Sequence, residues 1–180
     1  MAFCDLPANA SVRHALQINP KTGDLLCQFH EELLRGDSPL EVGERELIAA
    51  YVSGLNRCIF CRGTHEATAL LFGVPQGLIE NLLSDESLAA APNRLRPMLA
   101  YARKLTLNQN DITVADAENV FAAGWSERAL HDTILIAATF NFMNRFVHGH
   151  GIEGGAGLHA ERGRYLYENG YLNVVAAPLD

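Results

Sequence analysis

Apolar residues recur along most of this chain at helical spacing, and no continuous stretch alternates apolar with polar. The pattern predicts an all-α protein without strands. Leu25, Leu26, Phe29, Leu33 and Leu34 mark a first helix over 22–34, stopped by Gly36. Residues 1–20 ahead of it read as an irregular lead-in closed by Asn19-Pro20. Ser38-Pro39-Leu40-Glu41 predicts a helix start: serine can cap, proline suits the first helical position and glutamate the first turn. That helix should run to about residue 55, with Val42, Leu47, Ile48, Tyr51, Val52 and Leu55 as its apolar face. A second stripe, Glu46, Ala49, Ser53 and Asn56, lines up along another side. It is small or polar, so a further helix could approach closely. Read from its own helix alone, Glu46 would face water.

The next helix is expected over 57–71, with Asn56 able to cap it and Phe72-Gly73-Val74-Pro75 ending it. A short helix over 75–83 and a loop over 84–92 follow. Leu95, Met98, Leu99, Ala102 and Leu105 predict a core face for 95–107. Thr113 with Asp116 resembles a capping box, opening a helix to about 123. Gly124-Trp125-Ser126-Glu127 then caps a long apolar helix over 126–148, where Ile134, Leu135, Ala138, Phe142 and Phe146 are expected to be deeply buried. The tail from 149 turns aromatic (Tyr165, Tyr167, Tyr171), too apolar to stay in water. It should fold back or lie across a neighbouring subunit, which predicts a homo-oligomer.

Length and composition change this picture little. The 180 residues, 48% hydrophobic and 19% charged, suit one folded domain over 1–180, with a core over about 22–155 and a packed tail over 156–180. A net charge of −7 with scattered basic residues makes nucleic acid an unfavourable partner. The start lacks the basic and apolar order of a secretory signal, and no apolar stretch is long enough for a bilayer. The expected compartment is the reducing cytoplasm, where a C-x-x-C is more often catalytic or metal-binding than structural.

The chemistry concentrates in 46–65. Of four cysteines, Cys4 falls in the lead-in and Cys27 in an apolar helical pattern, where it reads as a small hydrophobe. Cys58 and Cys61 have a meaningful spacing: two such thiols can close a short disulfide or stay reduced. At about 100° per residue, Cys58, Cys61 and His65 fall within an arc of roughly 60° and can share a pocket. His65, one turn beyond Cys61, can take its proton, and Glu46, one helix earlier, can hold that histidine or pass the proton on. Position alone favours Cys58 as the more acidic thiol, because a helix N-terminus stabilises a thiolate.

Glu46, eleven residues, Cys58-x-x-Cys61, three residues and His65 resemble the alkylhydroperoxidase D (AhpD-like) family, the peroxidase-related branch of the carboxymuconolactone decarboxylase superfamily. The Gly73-Val74 helix end, the Ala123-Gly124-Trp125-Ser126 turn and the helix bearing Asn141, Asn144 and Arg145 extend the resemblance over about 22–155. It implies a bundle of antiparallel helices that oligomerises and reduces organic hydroperoxides or hydrogen peroxide. It implies that Cys61 attacks the peroxide, that Cys58 resolves the sulfenic acid as a Cys58–Cys61 disulfide, and that His65 and Glu46 relay the proton. The reductant it implies is a dithiol, in better-known members a lipoylated protein. No metal and no further cofactor are expected. Some members carry histidine just before the second cysteine. Phe60 stands there instead, which removes one proton-relay group and offers an apolar wall.

Other readings of these residues stand beside this one. The same thiols could serve a redox sensor or disulfide-exchange protein without peroxidase turnover, and a decarboxylase-type lyase would not need them. Cys58, Cys61 and His65 could bind zinc with His148 or His150, although that spacing fits poorly. The polar stripe Asn141, Asn144, Arg145 and His148 reads first as facing solvent or a subunit. Its functional alternative pairs Arg145 with Glu46.

Overall fold

Two helices that run side by side with three residues between them form the frame of the molecule. In the computed structural model, which describes residues 3–7, 10–153, 155–172 and 174–175, every regular element is helical. The order is α1 Val12–Gln17, α2 Pro20–Arg35, α3 Val42–Leu55, α4 Ile59–Leu71, α5 Leu78–Ser84, α6 Arg96–Leu107, α7 Val114–Ala122, α8 Glu127–Gly149 and α9 Ala156–Asn169, with a 3-10 turn at Gln109–Asp111. Helix α3 is almost wholly buried and packs on α4, α5, α6 and α8, while α9 packs on α4. Among the described residues, no helix is long and apolar enough to cross a membrane.

The all-α prediction holds, and several boundaries and faces move. The lead-in contains α1. Asn19 caps α2 by accepting a hydrogen bond from Thr22 N, with Pro20 at the first helical position. Helix α3 starts at Val42, where Glu44 accepts from the Glu41 N–H at 3.0 Å. Ser38 does not cap it: its hydroxyl donates to the buried Asp132 at 2.6 Å, a partner far along the chain that local spacing cannot reveal. Helix α5 begins at Leu78, three residues later than Pro75. The Thr113–Asp116 box is present, Asp116 accepting from the Thr113 N–H at 2.7 Å.

Two helices bury a different face from the one their apolar spacing predicts. On α2 the buried side is Gly23, Cys27, His30, Leu33 and Leu34, while Leu25 and Phe29 are exposed. On α8 the buried residues include Ile136, Ala137, Phe140, Met143 and Val147. Ile134, Leu135 and Phe146 are half-buried, and Ala138 and Phe142 are exposed. On α8 the apolar residues spread over so wide an arc that periodicity does not select a side, whereas on the amphipathic α2 the buried side is offset from the apolar stripe. Polar residues on the true inner faces, His30 and Asn144, hide it further.

The tail does fold back, as α9. A side chain at Gly163 would place its Cβ 2.5 Å from the Ala67 Cβ, so α9 lies against α4 at backbone distance. Gly170, at φ +64°, then turns the chain so that the Tyr171 N–H donates to Glu31 Oε2 at 2.7 Å. The tail expectation for 176–180 lies outside the described residues.

Candidate active site

The turn between α3 and α4 sets the position of the first thiol. Asn56 ends α3, Arg57 takes the left-handed conformation at φ +57°, and Cys58, extended, becomes the N-cap of α4. Helix α4 thus starts at Ile59, two residues later than expected, and Asn56 does not cap it. The Cys58 N–H donates to Ser53 O at 2.9 Å, which ties the turn to α3. Cys61 lies one turn in. Both sulfurs are buried free thiols.

The two thiols titrate as a pair. Hydrogen bonding from the Cys61 thiol lowers Cys58 most, burial opposes it, and backbone N–H groups of the first turn and the Asn144 carboxamide help. The net result brings Cys58 down to about 7. Cys61 is raised, first by that same hydrogen bond and then by burial. The pair therefore loses one proton near neutral pH and keeps the other. This is the ranking that the N-terminal position of Cys58 suggests. Asn144 is buried: it donates to Ser53 Oγ at 3.0 Å and accepts from Asn56 at 2.9 Å. Its solvent-facing reading is corrected. A buried amide needs several partners, and the small polar stripe of α3 supplies them.

The proton-handling half lies on the inner side. Glu46 is 0% exposed, not turned to water. One oxygen accepts from His65 Nδ1 at 2.7 Å, and the other accepts from Arg35 Nη1 at 2.7 Å and Tyr171 Oη at 2.8 Å. Burial would raise this carboxyl, but the charge and hydrogen bond of His65, the Arg35 charge and the Tyr171 bond outweigh it, holding it below the ordinary carboxylate range. Tyr171 is pushed well above its ordinary value, by burial and then by Glu46. Arg145 is not the partner of Glu46. It is exposed and donates to Asn141 O at 2.6 Å, while Arg35 reaches the carboxylate from α2. Phe140 meets the His65 ring edge-on, with centroids 4.5 Å apart.

A cavity of about 430 Å³ joins the two halves. Cys61, His65, Phe60 and Tyr171 line it. Cys58, also buried, is not part of the lining, although helical spacing places it in the same pocket as Cys61 and His65. Among the described residues no cluster of His, Cys, Asp and Glu is arranged to hold a metal. His148 is exposed, and the His150 imidazole is bonded to Phe146 O. Cys27 is buried, as its pattern predicts, and burial pushes it up to about 11. It also lines the cavity, which the sequence did not suggest.

His30 is a further lining residue that the sequence pattern does not single out. Its Nδ1–H donates to Leu26 O at 2.7 Å, and burial, aided by the charge on His65 and opposed by this bond, pushes it down to about 4. A neutral buried imidazole makes the fold acid-sensitive. Above the unfolded value of 6.5 the effect is absent. As pH falls from there towards 4 the unfolded chain takes up a proton that the folded one refuses, so stability should drop by roughly 2–3 kcal/mol by pH 4.5. Urea melts of the wild type and of His30→Gln at pH 7.5 and 4.5 check this; equal pH dependence in both contradicts it.

Two thiols at the start of α4, His65 one turn further along the same helix and Glu46 facing it from the adjacent α3 make up the arrangement that resembles the AhpD-like class. The pattern of the carboxymuconolactone decarboxylase family matches residues 20–104. A crystal structure of an uncharacterised peroxidase-related protein from a Silicibacter species is 32% identical, with a TM-score of 0.74 over 82% of this chain and 78% of that one. A second, described as an alkylhydroperoxidase AhpD core, an uncharacterised peroxidase-related protein from Ralstonia eutropha, is 25% identical, with a TM-score of 0.74 over 81% and 77%. Comparison with curated proteins gives no match. The chain belongs to the carboxymuconolactone decarboxylase family, in its AhpD-like, peroxidase-related branch.

Proposed function

We propose that the protein is a thiol-dependent peroxidase that cycles between the Cys58–Cys61 dithiol and its disulfide. The observation that carries this is access: Cys61 lines the cavity, while the more acidic Cys58 does not. With one proton shared by the pair, its transfer to Cys58 leaves a Cys61 thiolate facing the substrate. That thiolate attacks the outer peroxide oxygen, the O–O bond breaks, and the alcohol leaves with a proton delivered through His65. Cys61 is then a sulfenic acid. Cys58 attacks its sulfur, water leaves, and the disulfide closes.

His65 Nδ1 is committed to Glu46, so exchange with the substrate falls to Nε2, and the carboxylate stabilises the imidazolium during transfer. An external dithiol, of the lipoyl kind in the reading the family suggests, returns two electrons and two protons. Steady-state consumption of tert-butyl hydroperoxide with dihydrolipoamide tests this. Continuous turnover is expected. One round of oxidation without turnover would mark a sensor or exchange protein, and a lyase would retain its activity in a Cys58→Ser, Cys61→Ser double variant.

A further inference from the structure

The cavity that Cys61 faces is apolar over most of its wall, but the wall carries a guanidinium. Arg162, on α9, is half-buried, and its charged group lies 4.6 Å from the centre of the Phe60 ring, next in sequence to Cys61. Its Nη1 is buried and, among the described residues, has no hydrogen-bond partner. A buried, charged N–H without an acceptor is a costly arrangement, and native structures rarely keep one without a use. Burial lowers the Arg162 pKa, opposed by the charge of Glu161. Glu161 also lines the cavity but is exposed. Arg13 and His14 line the same cavity from the N-terminal side, so this part of a chain with net charge −7 is not acidic.

We infer that the cavity takes organic hydroperoxides that also bear a carboxylate, and that Arg162 binds the carboxylate while the apolar body lies along Phe60 with its peroxide at Cys61. A guanidinium presents two parallel N–H donors that match a carboxylate and form a charge-assisted pair, strongest where water is excluded. One such fork satisfies one carboxylate. A phosphate dianion would bring further charge to an apolar wall beside Glu161 and is disfavoured. Hydrogen peroxide and neutral alkyl hydroperoxides have nothing for Arg162 to hold, so this residue would select among peroxides and not react with them. The selection rests on the peroxidase reading; the carboxylate site itself does not.

The test therefore separates binding from turnover. In the Cys61→Ser protein, octanoate and its neutral isostere octanamide are titrated calorimetrically at pH 7.5. Octanoate is expected to bind about tenfold tighter or more, the usual advantage of a charge-assisted bond in a buried place. Arg162→Gln should erase the preference, and Arg162→Lys should restore part of it. Equal binding of the two probes by the Arg162 protein, binding of neither, or a preference that survives Arg162→Gln would each overturn the inference. In the enzyme with both cysteines, Arg162→Gln should lower kcat/KM for a carboxylate-bearing hydroperoxide relative to its methyl ester by a similar factor, through KM. If no peroxide were turned over, the peroxidase reading would fail while the octanoate preference still decided the carboxylate site.

Discussion

The Cys61→Ser protein is expected to lose peroxide turnover by a factor on the order of a thousand or more, because the group that attacks oxygen is gone. The Cys58→Ser protein should lose turnover too, but differently. Its Cys61 can still react once, and the sulfenic acid then has no neighbouring thiol to close on. It should persist long enough to be trapped by dimedone and weighed. Cys58→Ser also removes the acidic partner that accepts the Cys61 proton. The single oxidation should therefore be slower than in the wild type and should speed up as pH rises towards the ordinary thiol range. A stable sulfenic acid on Cys58 in the Cys61→Ser protein would reverse the two roles.

Glu46→Ala should be the most destabilising single change in the site, by about 3–5 kcal/mol, the usual cost of removing one member of a buried ion pair. The loss strands three donors at once: the Arg35 guanidinium, the Tyr171 hydroxyl and the His65 ring N–H. Arg35 is not otherwise orphaned, since it also donates to Leu34 O and Leu166 O, but those carbonyls cannot balance its charge. Set against a total stability of roughly 5–15 kcal/mol, the change is large. Glu46→Gln keeps the shape and should cost less. Urea denaturation of the three proteins decides it; a Glu46→Ala protein within about 1 kcal/mol of the wild type would contradict the buried-pair account. Because the folded carboxyl is depressed, its contribution is present above its unfolded value and is lost as pH falls through the folded one.

Glu46, Cys58, Cys61 and His65 were legible because all four lie within twenty residues and their spacing is helical. What completes the site comes from far along the chain. Tyr171 meets Glu46 from 125 residues away, and Asn144 reaches Ser53 across 91. No periodicity encodes such contacts. Arg35 belongs to the last turn of α2, where an arginine ordinarily reads as a helix-end charge. Asn144 carried a signal, a polar residue between the apolar Phe142-Met143 and Phe146-Val147, but the signal is shared by Arg145, which does face water. Choosing between them needed the position of α3. Helices α2 to α8 followed from caps and apolar spacing, whereas α1 fell in the lead-in read as irregular and α9 was hidden by a glycine-rich approach and a face on which little is fully buried.

The most direct measurement is a thiol count on the native protein before and after one equivalent of hydroperoxide, with the oxidised positions mapped by peptide mass. The account predicts that two of the four thiols disappear together and that the peptide carrying both Cys58 and Cys61 becomes lighter by two hydrogens. Loss of a single thiol, or a disulfide that involves Cys27 instead, would contradict it.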